Sequence, residues 1–255
     1  MLYFARHGTG LPPLVFVHGY TCDHADWRFQ LADLAKDHTV VACDLRGHGQ
    51  TPGRPADCSV ETYGADVVEL LAALELKEVI LVGHSLGCRV VLEAAQRQLA
   101  RLAGVVLIEG FWPNLESPKH LERTMHDKIS AMGFAGFITE RFTAMFPFPN
   151  VYAEPILARA RRMPPEIGAN VLARAFWWDG LKLDPALAGL KLPALVIQSA
   201  FGASRLVHET ESLDRMRRLK PDAQIEVVPG VGHFTQLEAP ETVGQLIRAF
   251  VARLR

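Results

Sequence analysis

Residues 83–87 read Gly83-His84-Ser85-Leu86-Gly87, and what flanks them constrains the fold more tightly than any other stretch. An apolar run, Val79-Ile80-Leu81-Val82, precedes the turn, and Val90, Val91, Ala94 and Ala95 follow it at helical spacing. Strand, sharp turn and helix in that order lift a serine hydroxyl clear of a sheet. They also set it at a helix N-terminus, where the aligned peptide dipoles favour developing negative charge. Backbones crowd at such a turn and its geometry is strained, which a glycine on each side accommodates. The five-residue pattern alone recurs by chance. Without its flanks, Ser85 reads as a buried structural serine.

Strand-like runs alternate with helical ones along the chain, the order that builds a parallel α/β sheet. Strands are expected at about 14–18, 39–43, 79–83, 105–109, 193–198 and 224–228, with a further short one at 2–7. Helices are expected at about 25–36, 60–74, 87–99, 208–219 and 240–254. Between them, Arg46-Gly47-His48-Gly49-Gln50-Thr51-Pro52-Gly53 is a turn dense in helix and strand breakers. The alternation fails from 112 to 185, where aromatics and methionines sit on helical stretches cut by prolines. The expected organisation is therefore a core of 1–111 and 186–255 with a helical cap of 112–185 inserted between two core strands. The cap aromatics either form a small core of their own or line an apolar pocket. Pocket candidates are Trp112, Phe137, Trp177 and Trp178 in the cap, His84 in the turn and Phe234 near the C-terminus.

Composition narrows the possible partners. The chain has 255 residues, 49% of them apolar, which is enough for a large core in one domain plus an insertion. A net charge of −1 gives no footprint for nucleic acid or for electrostatic membrane attachment, so a small-molecule substrate is expected. The first residues lack a signal-peptide layout, and no apolar run reaches transmembrane length. The four cysteines, Cys22, Cys43, Cys58 and Cys88, lack metal-ligand spacing and read as reduced thiols of a cytoplasmic protein. No metal is implied, and no Gly-x-Gly-x-x-Gly opens a helix, so no cofactor is expected. Oligomeric state is not readable.

Four motifs in order carry a resemblance to the α/β-hydrolase family. They are His18-Gly19 after a strand, Asp44-Leu45-Arg46-Gly47-His48-Gly49, the turn at Ser85, and Gly232-His233-Phe234. The resemblance covers almost the whole chain and implies a mostly parallel, doubly wound sheet with a helical cap. The family's first strand is expected to be missing, leaving about seven. A serine hydroxyl needs a base at neutral pH. Of ten histidines, His233 occupies the family's catalytic position, in the loop between the last strand and the last helix. His18, His48 and His84 read as turn or pocket-wall residues. The resemblance also implies an oxyanion hole from the backbone N–H groups of Leu86, after the nucleophile, and Tyr20, after the His-Gly pair. The Tyr20 ring either faces substrate or packs over the turn.

The chain departs from the family at the third triad member. Most relatives carry an aspartate after strand seven, but here that stretch is Gln198-Ser199-Ala200-Phe201-Gly202-Ala203-Ser204-Arg205. No carboxylate follows until Glu209. Glu109 ends the preceding strand, 24 residues past Ser85. Adjacent parallel strands bring their C-terminal ends together, so Glu109 is the expected acid orienting His233, with Glu209 as the rival. The bland alternative is a strand-end residue bonded to a loop. A strand-six acid with an empty strand-seven site is similar to lactone hydrolases of resorcylic macrolactones. It also resembles cofactor-free dioxygenases that cleave quinolone rings, which share an aromatic at the Tyr20 position and an Asp23-His24-like pair. The leading expectation is a serine hydrolase of a carboxylic ester or lactone with a bulky apolar or aromatic substrate. The alternative is a cofactor-independent dioxygenase of an N-heteroaromatic, using a His–acid dyad.

Overall fold

Alternate residues along the central strands face opposite sides of one sheet, and both sides are apolar. The computed structural model describes residues 1–110, 117–147, 149–201 and 209–254. In chain order the elements begin with β1 (Phe4–His7), β2 (Leu14–Val17), α1 (Arg28–Leu34), β3 (Val40–Cys43) and α2 (Val60–Ala73). The elbow joins β4 (Val79–His84) to α3 (Leu86–Arg97), and β5 (Leu102–Ile108) follows. The insertion consists of α4 (Pro118–Thr143), α5 (Ala153–Arg161) and α6 (Pro165–Ala188). The core resumes with β6 (Ala194–Ser199), α7 (Glu209–Leu219), β7 (Gln224–Val228), the short α8 (Thr235–Glu238) and α9 (Pro240–Arg253).

The strands form one seven-stranded sheet in the order β1-β3-β2-β4-β5-β6-β7, parallel except for β1, which runs antiparallel to β3. Leu14, Phe16, Ile80, Val82, Val106, Ile108, Leu195 and Ile197 pack on one face with α1 and α9. Val15, Val17, Leu81, Val105, Leu107 and Val196 pack on the other, under α2 and α3. Near-continuous apolar strands follow from burial on both faces. Helix α2 shows the matching amphipathic stripe. Val60, Tyr63, Val67, Leu70 and Leu71 are buried, and Ser59 caps the helix by accepting from the Thr62 amide at 3.2 Å.

Strand order decides where a site can form. The chain leaves β2 toward β3 on one side and returns to β4 on the other, so the carboxyl ends of β2 and β4 border a topological switch point. His18-Gly19-Tyr20 leaves β2 there and Ser85 leaves β4. Ile108 pairs with His84, so Glu109 stands level with Ser85 on the neighbouring strand.

The insertion is tied to the core by polar contacts as well as apolar ones. The Arg89 guanidinium of α3 pairs with the Asp179 carboxylate of α6 at 3.0 Å, with both side chains buried. Trp178 Nε1 donates to Glu93 Oε2 at 2.9 Å, and Asn170 donates to the carbonyls of Pro55 and Cys58. The Tyr20 hydroxyl donates to the Gly168 carbonyl at 2.9 Å. Helix α6 runs through Pro185 to Ala188, beyond the expected cap limit of 185.

Candidate active site

Ser85 has φ +53° and ψ −114°, the strained conformation that the flanking glycines permit. A Cβ at Gly83 would lie 2.5 Å from the Gly87 carbonyl oxygen, and one at Gly87 would overlap the Val17 carbonyl. A side chain at Gly87 would push the elbow from β2, and one at Gly83 would push the first turn of α3 from the strand. Cys88 lies beneath the turn, its thiol donating to the carbonyls of Gly83 at 3.2 Å and Ile108 at 3.3 Å. Burial raises its pKa to about 12, so it is a packing thiol and not a nucleophile.

His233 Nε2 lies 2.9 Å from Ser85 Oγ. Three contacts fix the loop that carries it. The His233 amide donates to the Met145 carbonyl of the insertion at 3.1 Å, and His84 Nε2–H donates to the His233 carbonyl at 2.8 Å. Glu238 accepts from the amides of Gly232 and Phe234. Burial lowers the His84 pKa to about 3, with the neighbouring His233 adding to the effect, so His84 supports the loop as a neutral ring. On the other side of the imidazole, Glu109 Oε2 lies 3.6 Å from His233 Nδ1. This is slightly long for a hydrogen bond, as catalytic contacts often are before substrate binds. Glu109 is fully buried, with φ +53°. Its carboxylate accepts from the Gln198 amide at 2.8 Å, the Ser199 hydroxyl at 3.1 Å, the Thr235 hydroxyl at 2.7 Å and the Ser199 backbone N–H. Glu209, the rival acid, opens α7, and its side chain lies outside the described residues.

The Gly19–Tyr20 peptide abuts the elbow. A Cβ on Gly19 would sit 2.9 Å from His84 Nδ1 and 3.2 Å from Ser85 Cβ. Neither the Tyr20 nor the Leu86 amide donates to another described residue. His18 braces this loop. Its Nε2 accepts from the Leu45 amide at 3.0 Å, which assigns the proton to Nδ1, facing the Gly19 carbonyl at 2.8 Å.

The cavity over Ser85 is about 30 Å³, lined by Tyr20, Cys22, His84, Ser85, Arg141, Phe142, Met145, His233 and Phe234. His84 and Phe234 therefore stand at the wall, but three other expected pocket residues do not. Phe137 is buried in the core shared by insertion and sheet, and Trp178 is buried with its N–H held by Glu93. Trp177 is 37% exposed and donates to Glu122 on the outer side of the insertion. These aromatics serve the insertion's own packing. Trp112 lies outside the described residues. Asp23 and His24 are also off the cavity lining. Asp23 caps a short turn and pairs with Arg159, while His24 binds Asp44.

Cys22, Arg141, Phe142 and Met145 line the cavity without having been expected there, and the charged one is Arg141. Arg141 sits on α4 among Phe134, Phe137, Ile138, Phe142 and Met145, which form the buried stripe of that helix and the turn after it. A cation at an apolar position of a helical stripe is the signal that would have found it.

Among the described residues, no group of histidine, cysteine, aspartate or glutamate could hold a metal ion, and no helix is long and apolar enough to cross a membrane. A family model described as "Alpha/beta hydrolase family" matches residues 14–246. The chain is 30% identical over 258 residues to 2-(acetamidomethylene)succinate hydrolase of Mesorhizobium japonicum, covering 96% of this chain and 89% of that one. It is 30% identical over 248 residues to 2-succinyl-6-hydroxy-2,4-cyclohexadiene-1-carboxylate synthase of Escherichia coli, covering 94% of each. A malate-bound thermophilic esterase from Thermogutta terrifontis superimposes with a TM-score of 0.84 at 27% identity, covering 99% of this chain and 93% of that one.

Proposed function

This chain belongs to the alpha/beta hydrolase family, and on that premise we propose that it is a serine hydrolase of carboxylic esters or lactones, working through an acyl-enzyme on Ser85. The Mesorhizobium relative is a hydrolase and the Thermogutta relative an esterase, whereas the Escherichia coli relative is a synthase. Kinship alone therefore does not choose the reaction. The observation that carries the reading is the 2.9 Å separation of His233 Nε2 from Ser85 Oγ.

The steps follow from that geometry. Ser85 Oγ bonds to the substrate carbonyl carbon as its proton passes to His233 Nε2. Negative charge moves to the carbonyl oxygen, where the Tyr20 and Leu86 N–H groups receive it. The imidazolium, held in orientation by Glu109, gives its proton to the leaving alkoxide as the ester C–O bond breaks. Water then attacks the acyl-enzyme and yields a proton to His233. Collapse of the second tetrahedral intermediate releases the acid and restores the serine hydroxyl.

The substrate we favour is smaller than the bulky one expected from the insertion's composition. The aromatics that suggested it are packed elsewhere, and a cavity of about 30 Å³ between Tyr20, Phe142, Met145 and Phe234 suits a compact acyl group. A panel of short-chain esters and small lactones, with fluorophosphonate labelling, tests the reading. Ser85→Ala is expected to lose labelling and on the order of 10⁴-fold or more in kcat. Full turnover by Ser85→Ala, or oxygen consumption on a 3-hydroxy-4-quinolone that survives it, overturns the reading.

A further inference from the structure

Arg141 is a half-buried cation with no anion among the described residues. Its Nε is sealed from solvent with no hydrogen-bond partner, and among the described residues the guanidinium makes no hydrogen bond and no ion pair. Other arginines that are buried or half-buried differ. Arg89 is matched by Asp179, and Arg159 by Asp23 and Asp26. Arg101 and Arg215 each have an unbonded Nε too, but Arg101 donates to the Leu76 carbonyl and Arg215 pairs with Asp184.

Among the described residues, its immediate surroundings offer no counter-ion. The groups whose charge bears on it are Tyr20 and Arg89, while Cys22, His84 and His233 share its cavity. Tyr20 is a neutral phenol, because burial drives its pKa up and its hydroxyl already donates to the Gly168 carbonyl. Arg89 is a second cation. Burial and Arg89 lower the Arg141 pKa below its ordinary value, yet an arginine keeps its proton at any physiological pH. A lone buried charge is costly, and a planar five-donor fork is shaped for a carboxylate. This fork lines the same small cavity as Ser85, His233 and Phe234.

We propose that Arg141 is a substrate-binding residue that receives a carboxylate carried by the ester or lactone, a few bonds from the scissile carbonyl. The inference rests on the hydrolase reading for the identity of the scissile group and on Arg141 for the anion. The narrow cavity sets the short spacing. A single guanidinium, the one cation of fixed charge in the lining, fits a carboxylate monoanion better than a phosphate dianion, which needs more donors. Because the free protein holds this charge unmatched, pairing with the substrate recovers interaction energy that a neutral ester cannot supply.

The test uses monoethyl succinate and its neutral isostere ethyl 4-oxopentanoate. Wild type is expected to favour the anionic ester by about 100-fold in kcat/KM, the scale of one desolvated charge pair. In Arg141→Met that preference collapses toward unity, and Arg141→Lys, which keeps the charge without the fork, falls between. Thermal melts confirm that each variant is folded. A binding arm separates this inference from the hydrolase reading. In a Ser85→Ala background, calorimetry with monoethyl succinate is expected to show binding that Arg141→Met weakens by about 30-fold or more. Arg141-dependent binding without turnover of either ester sinks the hydrolase reading and keeps the carboxylate site. Equal turnover of both esters, unchanged in preference by Arg141→Met, sinks the carboxylate site and keeps the hydrolase. Absence of binding, or Arg141-dependent binding of inorganic phosphate tighter than that of the monoester, also overturns it.

Discussion

Ser199 donates twice to Glu109, from its hydroxyl to Oε2 at 3.1 Å and from its backbone amide to Oε1. The strand end where most relatives keep an aspartate here supplies donors to a carboxylate on the strand beside it. With Gln198 and Thr235, four donors hold Glu109 against His233 Nδ1. Glu109→Gln keeps the shape and removes the charge that stabilises the imidazolium, so kcat is expected to fall by about 10²- to 10⁴-fold with KM little changed. Ser199→Ala removes one of the four side-chain and backbone donors and is expected to cost under about tenfold, on the scale of one hydrogen bond. Steady-state kinetics on the best ester of the panel checks both. A near-normal Glu109→Gln would shift the assignment to Glu209.

Arg89 joins the elbow to the insertion. Besides Asp179, it donates to the Ser85 carbonyl at 3.3 Å and to the Gly110 carbonyl. Asp179→Ala leaves a buried guanidinium without its carboxylate and is expected to destabilise the protein by about 3–5 kcal/mol. Arg89→Met combined with Asp179→Leu is expected to recover most of that loss, because desolvating a matched ion pair offsets much of its attraction. Urea unfolding of Arg89→Met, Asp179→Leu and the double variant measures the coupling.

How far the sequence led depended on what each signal specifies. Near-continuous apolar runs and breaker-rich turns located the seven described strands within a few residues, because burial on both faces makes such runs apolar throughout. The turn at Ser85 and the strand end at Glu109 were readable because their positions follow from topology. The support around Glu109 was not readable, since Gln198, Ser199 and Thr235 are ordinary polar residues until the fold brings three elements together. Aromatic content named the insertion but not the direction of any ring, so Phe137, Trp177 and Trp178 were expected at the pocket and pack elsewhere. Arginine on a helix usually faces water. Only the stripe shared with Phe134, Ile138, Phe142 and Met145 marks Arg141 as inward.

Buried histidines make stability depend on mildly acidic pH. Burial lowers the His48 pKa to about 4, and its ring sits beside His18 and Tyr63 with Nε2 unbonded. Unfolded histidine titrates near ~6.5. Between those values the unfolded chain binds a proton that the folded chain refuses, so this contribution is present at neutral pH and is lost as pH falls from about 6.5 toward about 4. His48→Gln removes the titrating ring. The stability of wild type relative to His48→Gln should decline by up to ~1.4 kcal/mol per pH unit between roughly pH 6 and 4.5. Taking the difference between the two proteins cancels the buried carboxylates Asp26, Asp179 and Glu238, which shift the opposite way. Urea unfolding across that window, with no widening of the gap, would refute the assignment.

Arg141 should cost the free protein stability. Nothing described offsets its charge, while Met fills a similar volume against Phe142 and Tyr20 without desolvating an ion. Unliganded Arg141→Met is therefore expected to be more stable than its parent by about 1–2 kcal/mol in chemical denaturation. The order should reverse with ligand present. In a Ser85→Ala background, monoethyl succinate at about 100 times its Kd stabilises a binding-competent protein by ~2.7 kcal/mol and a non-binding one hardly at all. A merely structural arginine predicts no such crossing, since its removal would lower stability with and without ligand. A functional one held ready for an anion requires it, because the same unmatched charge that weakens the empty protein is what the substrate's carboxylate neutralises.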